Sequence, residues 1–488
     1  MDTKRPIFGR DSDITILSKI INLKKSKIIV VYGRRRIGKT TLIQHVLKDK
    51  KVIKIEGIEG QSEKYQRENF IDQFALYLND KNISKIKTKN WKETLMLLNE
   101  CIKDKECVVY LEEVQWIADY KNHLIPELKY VWDNYWQHNP KLTLILCGSS
   151  PSFMIQQVMK SSALYNRSQH EFPVDEICIN SIKGIIGEKK SAFEILDAYL
   201  AVGGIPEYLQ YLKQESSVYL SLCSQCSTKG GYFVNEAERI FVSSLSKFRY
   251  YKEIIELLAL QGDKTRPEIE ELLSMPKGGT TSRVFEDLLK CGFIGSYAPN
   301  NFGDSSKNSK YYCKDRYLNL YYKFIKPNLL AIYNDTFKDA PITLIPFSKY
   351  RQWLGYSLER YCIQNHTKIA KILGFSAVSY SAGPYYVRKR NSIKNLSKED
   401  QILHNAQIDL LFIRKDKVIT LCEIKYQEQK PGLEVVAEVE NKITALNLSQ
   451  KFKNYTVQCI LISPNGASKE LIEKGYFSKI IEIGELIA

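Results

Sequence analysis

Over residues 1–180, short continuous apolar runs alternate with stretches whose apolar positions recur every three or four residues. The runs at 28–32, 107–111 and 142–146 are apolar almost throughout, the pattern of strands covered on both faces. Between them, 69–78 and 91–102 carry the helical period, and the lysine-rich 80–90 reads as a loop. This alternation predicts a doubly wound parallel sheet. From 191 to about 245 the pattern is helical, broken sharply at Gly203-Gly204-Ile205-Pro206. Helices are predicted at 251–261, 266–273 and 281–291, with a Gly-rich turn at 277–279. Apolar segments at 293–297 and 310–313 then flank a polar loop, 300–309. Helices followed by a two-stranded wing are the order of a winged helix-turn-helix. From 345 onward a helix at 350–370 precedes strands at 377–380, 408–414, 418–426 and 456–463, with a polar loop at 388–405. A chain of 488 residues is too long for one core. The expected class is α/β in four segments, 1–180, 181–247, 248–340 and 341–488.

The chemistry gathers where apolar runs end. The first run leads into Gly33-Arg34-Arg35-Arg36-Ile37-Gly38-Lys39-Thr40, which fits G-x-x-x-x-G-K-[ST] at every fixed position, and a helix opens at Thr41. Main-chain N–H groups of such a loop wrap phosphates, and the helix N-terminus adds positive potential. Residues Gly33 to Thr41 are therefore the expected nucleotide contacts, with Lys39 on the β- and γ-phosphates of ATP and Thr40 on Mg²⁺. The second run ends in Glu112-Glu113: Glu112 is expected to orient the metal through its water shell, and Glu113 to polarise the attacking water. The third ends near Ser149, a candidate γ-phosphate sensor. Arg167 is a candidate for transition-state charge, in its own subunit or in a neighbouring copy, which leaves a homo-oligomer open.

A second constellation lies near the C-terminus. Asp409 sits in one apolar strand, and Glu423 and Lys425 lie two apart on the next, so they share a face. The turn Lys415-Asp416-Lys417 between these strands brings Asp409 beside that pair. Two converging carboxylates make an oxygen site for Mg²⁺, and the lysine can steady a hydroxide or the developing phosphorane charge. This is the D-x(n)-E-x-K layout of PD-(D/E)XK nucleases, with Glu359 on the preceding helix as a further acid. Helix 281–291 offers Ser282, Arg283 and Lys290 to phosphates or bases, while Glu286 and Asp287 on the same helix suit packing within the protein.

Composition adds direction. A formal net charge of +16 favours a polyanionic partner, nucleic acid first and DNA ahead of RNA, although the lysines are spread along the whole chain. No apolar run is long enough to span a bilayer, and residues 1–10 lack a signal-peptide stretch, so no membrane partner and a cytoplasmic location are expected. The 11 cysteines mostly fall inside apolar runs, as buried thiols do, and nothing completes the single C-x-x-C at Cys223 and Cys226 into a zinc site.

With these residues in view, the chain resembles the archaeal and bacterial AAA+/STAND-type ATPases that carry a C-terminal nuclease-like domain. The resemblance rests on Phe8-Gly9-Arg10, the triple-arginine loop, Leu146-Cys147-Gly148-Ser149-Ser150, Gly203-Gly204-Ile205-Pro206-Glu207-Tyr208, residues 315–324, Gln407-Ile408-Asp409-Leu410-Leu411 and Leu421-Cys422-Glu423-Ile424-Lys425. It implies a P-loop NTPase core, a helical lid, a winged helix-turn-helix and a PD-(D/E)XK-like end. It also implies a switch coupled to a nuclease, with defence against foreign DNA as a role. One departure stands out. The family usually places Asp-Glu where this chain has Glu112-Glu113, and the longer side chain at the metal position favours a nucleotide-holding switch over a fast motor. Two other readings remain: a DNA-binding regulator whose last domain grips without cutting, and an ATPase that engages only proteins.

Overall fold

A computed structural model describes residues 7–103, 105–118, 123–161, 164, 167, 170–244, 249–298, 309–386, 407–447 and 452–488. The loop expected at 388–405, and all but the last residue of the one at 300–309, lie outside the described residues. The first sheet is built from β1 (Lys27–Tyr32), β2 (Val52–Glu56), β3 (Cys107–Glu112), β4 (Leu142–Gly148) and β5 (His170–Pro173). Its order is β2-β3-β4-β1-β5, and every neighbouring pair is parallel. Burial on both faces explains the unbroken apolar runs. Ile29 and Val31 of β1 face one core with Leu42 and Ile145, while Ile28 and Val30 face another with Phe70, Trp91 and Leu144. The adjacency of β1, β4 and β3 sets the loops after all three at one edge, where an open α/β sheet binds ligands. Ser62 and Asn90 set two flanking helices by accepting N–H bonds from Tyr65 (3.3 Å) and Glu93 (2.9 Å), which start them at Glu63 and Trp91.

Helices then carry the chain across one face of this sheet. Ala192–Val202 ends at Gly203, whose φ of +76° turns the chain, and a Cβ on Gly204 would collide with the Ile177 carbonyl oxygen. Farther on, the helices Arg249–Gln261, Arg266–Leu272 and Gly279–Lys290 precede a small antiparallel sheet. That sheet comprises β6 (Lys264–Thr265), β7 (Ile294–Tyr297) and β8 (Lys310–Cys313), in the order β6-β8-β7. β6 has only two residues, too short to carry a strand period in the sequence.

The last sheet has the order β13-β12-β11-β10-β9, formed by β9 (Tyr380–Tyr386), β10 (Gln407–Arg414), β11 (Val418–Ile424), β12 (Thr456–Ile462) and β13 (Lys479–Ile481). β9, β10 and β11 run antiparallel, and β11, β12 and β13 run parallel. The strand expected at 377–380 begins only at Tyr380 and runs on through Gly383 and Pro384. Those two residues read as breakers, yet β9 is an edge strand, where a proline's missing N–H breaks no ladder on the open side. The helix expected at 350–370 is two, Phe347–Gln364 and His366–Ile372, parted at Asn365. One continuous core links the two large sheets, from Leu42 and Ile145 through Leu196, Tyr317 and Leu354 to Phe412 and Ile460. Among the described residues no helix is long and apolar enough to cross a membrane.

Where the helix Ala192–Val202 meets the last sheet, Asp197 accepts the Tyr426 hydroxyl hydrogen, and Arg351 lies 3.6 Å from its other oxygen. Burial pushes the Asp197 carboxyl up to about 6. A carboxyl raised above its unfolded value binds extra protons in the fold, so its contribution to stability falls as pH rises from about 4 to about 6. Asp197→Asn lacks that titration. Its unfolding free energy relative to the wild type should rise across this interval and level off above pH 7, as read from denaturant unfolding at each pH.

Candidate functional site

The loop after β1 is shaped by residues that cannot be exchanged freely. Gly38 has φ +92°, and a Cβ on Gly33 would strike the Val174 carbonyl oxygen. Ile37 turns its side chain into the core while its carbonyl accepts a bond from Arg10 Nη2 (2.8 Å), which also reaches the Asp175 carbonyl (2.7 Å). The opening Phe8-Gly9-Arg10 segment thus clamps the loop from outside. Lys39 begins the helix Lys39–Val46 and curls its ammonium back over the loop, donating to the carbonyls of Gly33 (3.0 Å) and Arg34 (2.9 Å). Burial lowers its pKa. Arg35, Arg36, Gly38, Lys39, Thr40, Thr41, Glu112 and Glu113 line one open cavity of about 560 Å³, to which Pro206, Glu207 and Tyr211 also contribute.

The two acids play different structural parts. Glu112 ends β3 and is buried, with one carboxylate oxygen taking the Thr40 hydroxyl hydrogen and the other 2.5 Å from Lys54 Nζ on β2. Lys54 was not anticipated, because one lysine in the alternating run Val52–Glu56 reads as a solvent-facing position. The parallel register sets Glu56 opposite Glu112 and so brings Lys54 to its neighbour's carboxylate. Glu113 has φ +52°, and its Oε2 accepts from Ser149 N (3.1 Å), Ser149 Oγ (2.7 Å) and Gln115 Nε2 (2.6 Å). Ser149 is therefore brought to Glu113, and Gln115, which no motif marks, completes the clamp. Arg167 forms a two-point pair with Asp133, at 2.6 and 2.9 Å, and is not among the residues lining this cavity.

The loop arginines divide. Arg35 and Arg36 line the cavity, but Arg36 is held from behind by Glu236 (2.7 Å), by Glu207 and by the Tyr232 ring (5.2 Å to the centroid). Arg34 turns out of the cavity. Its Nη2 lies 2.5 Å from Asp315 Oδ2, its Nη1 lies 3.8 Å from Glu176, and its guanidinium lies over Phe293. Asp315 is buried, accepts the Leu318 N–H (2.9 Å) and so caps the helix Arg316–Leu320. Burial pushes its carboxyl up, and Arg34 opposes that shift. The Arg34 side chain ties the loop to the segment after β8, while its main-chain N–H stays in the loop.

A second acidic centre forms on the last sheet. The antiparallel register, with Leu410 opposite Cys422, carries Asp409 to Glu423, and Asp409 accepts the Ile424 N–H (3.3 Å). Burial pushes Asp409 up to about 6, and burial with the nearby Asp409 charge pushes Glu359 up to about 7. Lys425 lies 3.1 Å from Glu423, and Lys442, absent from the sequence reading, lies 2.5 Å from it. The helix Gly279–Lys290 is engaged inside the protein. Asp287 accepts from Ser152 (2.6 Å), Gln156 (2.9 Å) and Tyr251 (2.7 Å), while Arg283 donates to Gln156 (3.2 Å). Ser282 accepts from Arg266 (3.0 Å), and Lys290 pairs with Glu286 (3.1 Å). Ser282, Arg283 and Lys290 therefore each have an intramolecular partner, and Asp287 and Arg283 tie this helix to Ser152 and Gln156.

A parallel sheet with a glycine-framed loop after β1, a lysine-threonine helix start, and acids at the end of β3, one strand beyond the neighbouring β4, resembles the core of a P-loop ATPase. Residues 7–212 match a family described as an ATPase domain predominantly from Archaea. An uncharacterized protein of Methanocaldococcus jannaschii is 26% identical over 354 residues, covering 72% of this chain and 75% of the relative. An uncharacterized ATP-binding protein of the same organism is 26% identical over 256 residues, covering 43% of this chain and 70% of the relative. The solved Walker-type ATPase of Pyrococcus abyssi superposes with a TM-score of 0.49 at 18% identity, covering 66% of this chain and 99% of that one.

The Arg34–Asp315 pair carries its own test. Asp315→Ala leaves a guanidinium buried without its charge partner and should cost about 3–5 kcal/mol in urea unfolding. Replacing both, as Arg34→Met with Asp315→Leu, should recover most of that loss while leaving the loop untied from the segment after β8.

Proposed function

We propose that this chain is an ATP-driven switch whose nucleotide pocket is coupled to a C-terminal nuclease-like domain acting on nucleic acid. The observation that carries the coupling is the pairing of Arg34 and Arg36, inside the phosphate loop, with Asp315, Glu207 and Glu236 outside it, Asp315 capping the helix whose Arg316 donates to Gln364 (3.2 Å) on the helix that carries Glu359. ATP would draw the Lys39 ammonium off the Gly33 and Arg34 carbonyls, and the loop's shape is shared with every segment those arginines hold. Thr40 and Glu112 meet in the pocket as an oxygen pair and fit a magnesium ion, which when bound would neutralise phosphate charge. Glu113, once free of Ser149 and Gln115, would take a proton from the water that attacks the γ-phosphorus, as the bond to the departing ADP oxygen breaks.

The far end supports the nuclease-like part of this reading. A helix carrying Glu359 packs on a mixed sheet whose adjacent β10 and β11 carry Asp409 and Glu423, the arrangement expected of a PD-(D/E)XK domain. The helices between 249 and 290 with β6, β7 and β8 have the order of a winged helix. DNA is the favoured partner ahead of RNA. Because its helix Gly279–Lys290 is docked inward through Asp287, DNA reading by that helix would require undocking. A second reading, a regulator that grips without cutting, is favoured by one observation: a lysine ammonium already balances Glu423 beside Asp409.

ATP turnover with and without DNA tests the switch. Lys39→Ala should abolish nucleotide binding in calorimetry. Glu113→Gln should retain binding while turnover drops by roughly 100-fold or more. Cleavage of labelled DNA in Mg²⁺ that is lost in Glu423→Gln supports the nuclease; no cleavage with any strand type favours the gripping regulator.

A further inference from the structure

Two lysines approach Glu423 from different elements. Lys425 follows β11 and lies 3.1 Å from Glu423 Oε1, but it is drawn closer to Glu438 Oε2 (2.5 Å) on the helix Glu434–Asn447. Lys442 comes from that same helix, one turn beyond Glu438. Its ammonium is 2.5 Å from Glu423 Oε2 and 3.9 Å from Asp409 Oδ2. Left to itself, the helix would pair Glu438 with Lys442 four residues on. The fold crosses the partners instead, giving Lys425 to Glu438 and Lys442 to Glu423. Among the described residues, Lys442 alone of the two lysines lies within ion-pairing distance of both carboxylates.

The reason is electrostatic. Glu423 is 2% exposed and Asp409 13%, and two carboxylates brought together out of water repel unless a cation stands with them. A divalent metal ion seeks the same point and the same oxygens. Resting on the nuclease-like reading of this centre, we propose that Lys442, and not Lys425, holds its cation position. The Lys442 ammonium and a divalent metal ion then compete for Glu423 and Asp409, and the displaced ammonium stays tethered beside the metal, where a phosphodiester drawn to that metal lies within its reach. Lys425 serves as a peripheral brace between β11 and the helix.

The test uses the full chain without nucleotide. Mn²⁺ is titrated and its free fraction read by electron paramagnetic resonance, for wild type, Lys442→Met, Lys442→Gln, Lys425→Met and Glu423→Gln. The Glu423→Gln variant marks which binding belongs to this centre, and thermal unfolding of each variant confirms that it is folded. Removal of the competing ammonium should tighten Mn²⁺ binding about tenfold in both Lys442 variants, with less than about a twofold change in Lys425→Met. Cleavage of labelled DNA in Mg²⁺ should fall by about 100-fold in Lys442→Met, and partly return in Lys442→Arg. Wild type that cuts nothing while Lys442→Met still tightens Mn²⁺ binding upholds Lys442 in the cation position and removes the nuclease reading. Tighter Mn²⁺ binding in Lys425→Met with none in either Lys442 variant overturns the inference.

Discussion

The Arg34 guanidinium sits out of water against the Asp315 carboxylate, and that pair ties the phosphate loop to the segment after β8. Desolvating two charges is costly, and the cost is met here by geometry: a 2.5 Å contact, a capping bond from Leu318 to the other Asp315 oxygen, and the Phe293 ring beneath the cation. Arg34 also lends its carbonyl to Lys39, so one residue links the Lys39 ammonium to a buried pair on a distant segment. Arg36 repeats the arrangement toward Glu236 and Tyr232. Both flanks of the loop are thereby fixed to packed segments, which deform little.

Both acidic centres follow one electrostatic rule. A buried carboxylate is stable only with a cation or several donors around it. Glu112 has Lys54 and Thr40, Glu113 has three donors from Ser149 and Gln115, and Glu423 has Lys442 and Lys425. In each case the partner comes from an element other than the one that carries the acid, or from beyond its end. The acids are therefore held in place by partners from elsewhere in the fold.

The phosphate loop was legible because its chemistry is local. Gly33, Gly38, Lys39 and Thr40 lie within one turn of chain, flanked by an apolar strand and a helix that the hydrophobic period reveals. The same locality exposed Glu112 and Glu113 at a strand end, and Glu423 with Lys425 two positions apart. Lys54, Gln115 and Lys442 were not legible. Each acts on a residue across a strand pairing or a helix-sheet contact, and nothing in its own neighbourhood distinguishes it from a surface residue. The partner of the Arg34 side chain was no more legible: it lies 281 residues on, at Asp315.

By itself, then, the sequence determined the alternating α/β core, the glycine-framed turn and the residue types able to meet a triphosphate, since period, turn chemistry and short-range spacing are properties of neighbouring residues. The tertiary structure alone decided which charges neutralise which: Arg34 with Asp315, Lys54 with Glu112, and Lys442 with Glu423; it likewise gave Asp287 its neutral donors Ser152 and Gln156. Charge pairing out of water depends on which surfaces are buried against each other. That is set by the register of strands and the docking of helices across the whole chain, not by the order of residues along any one segment.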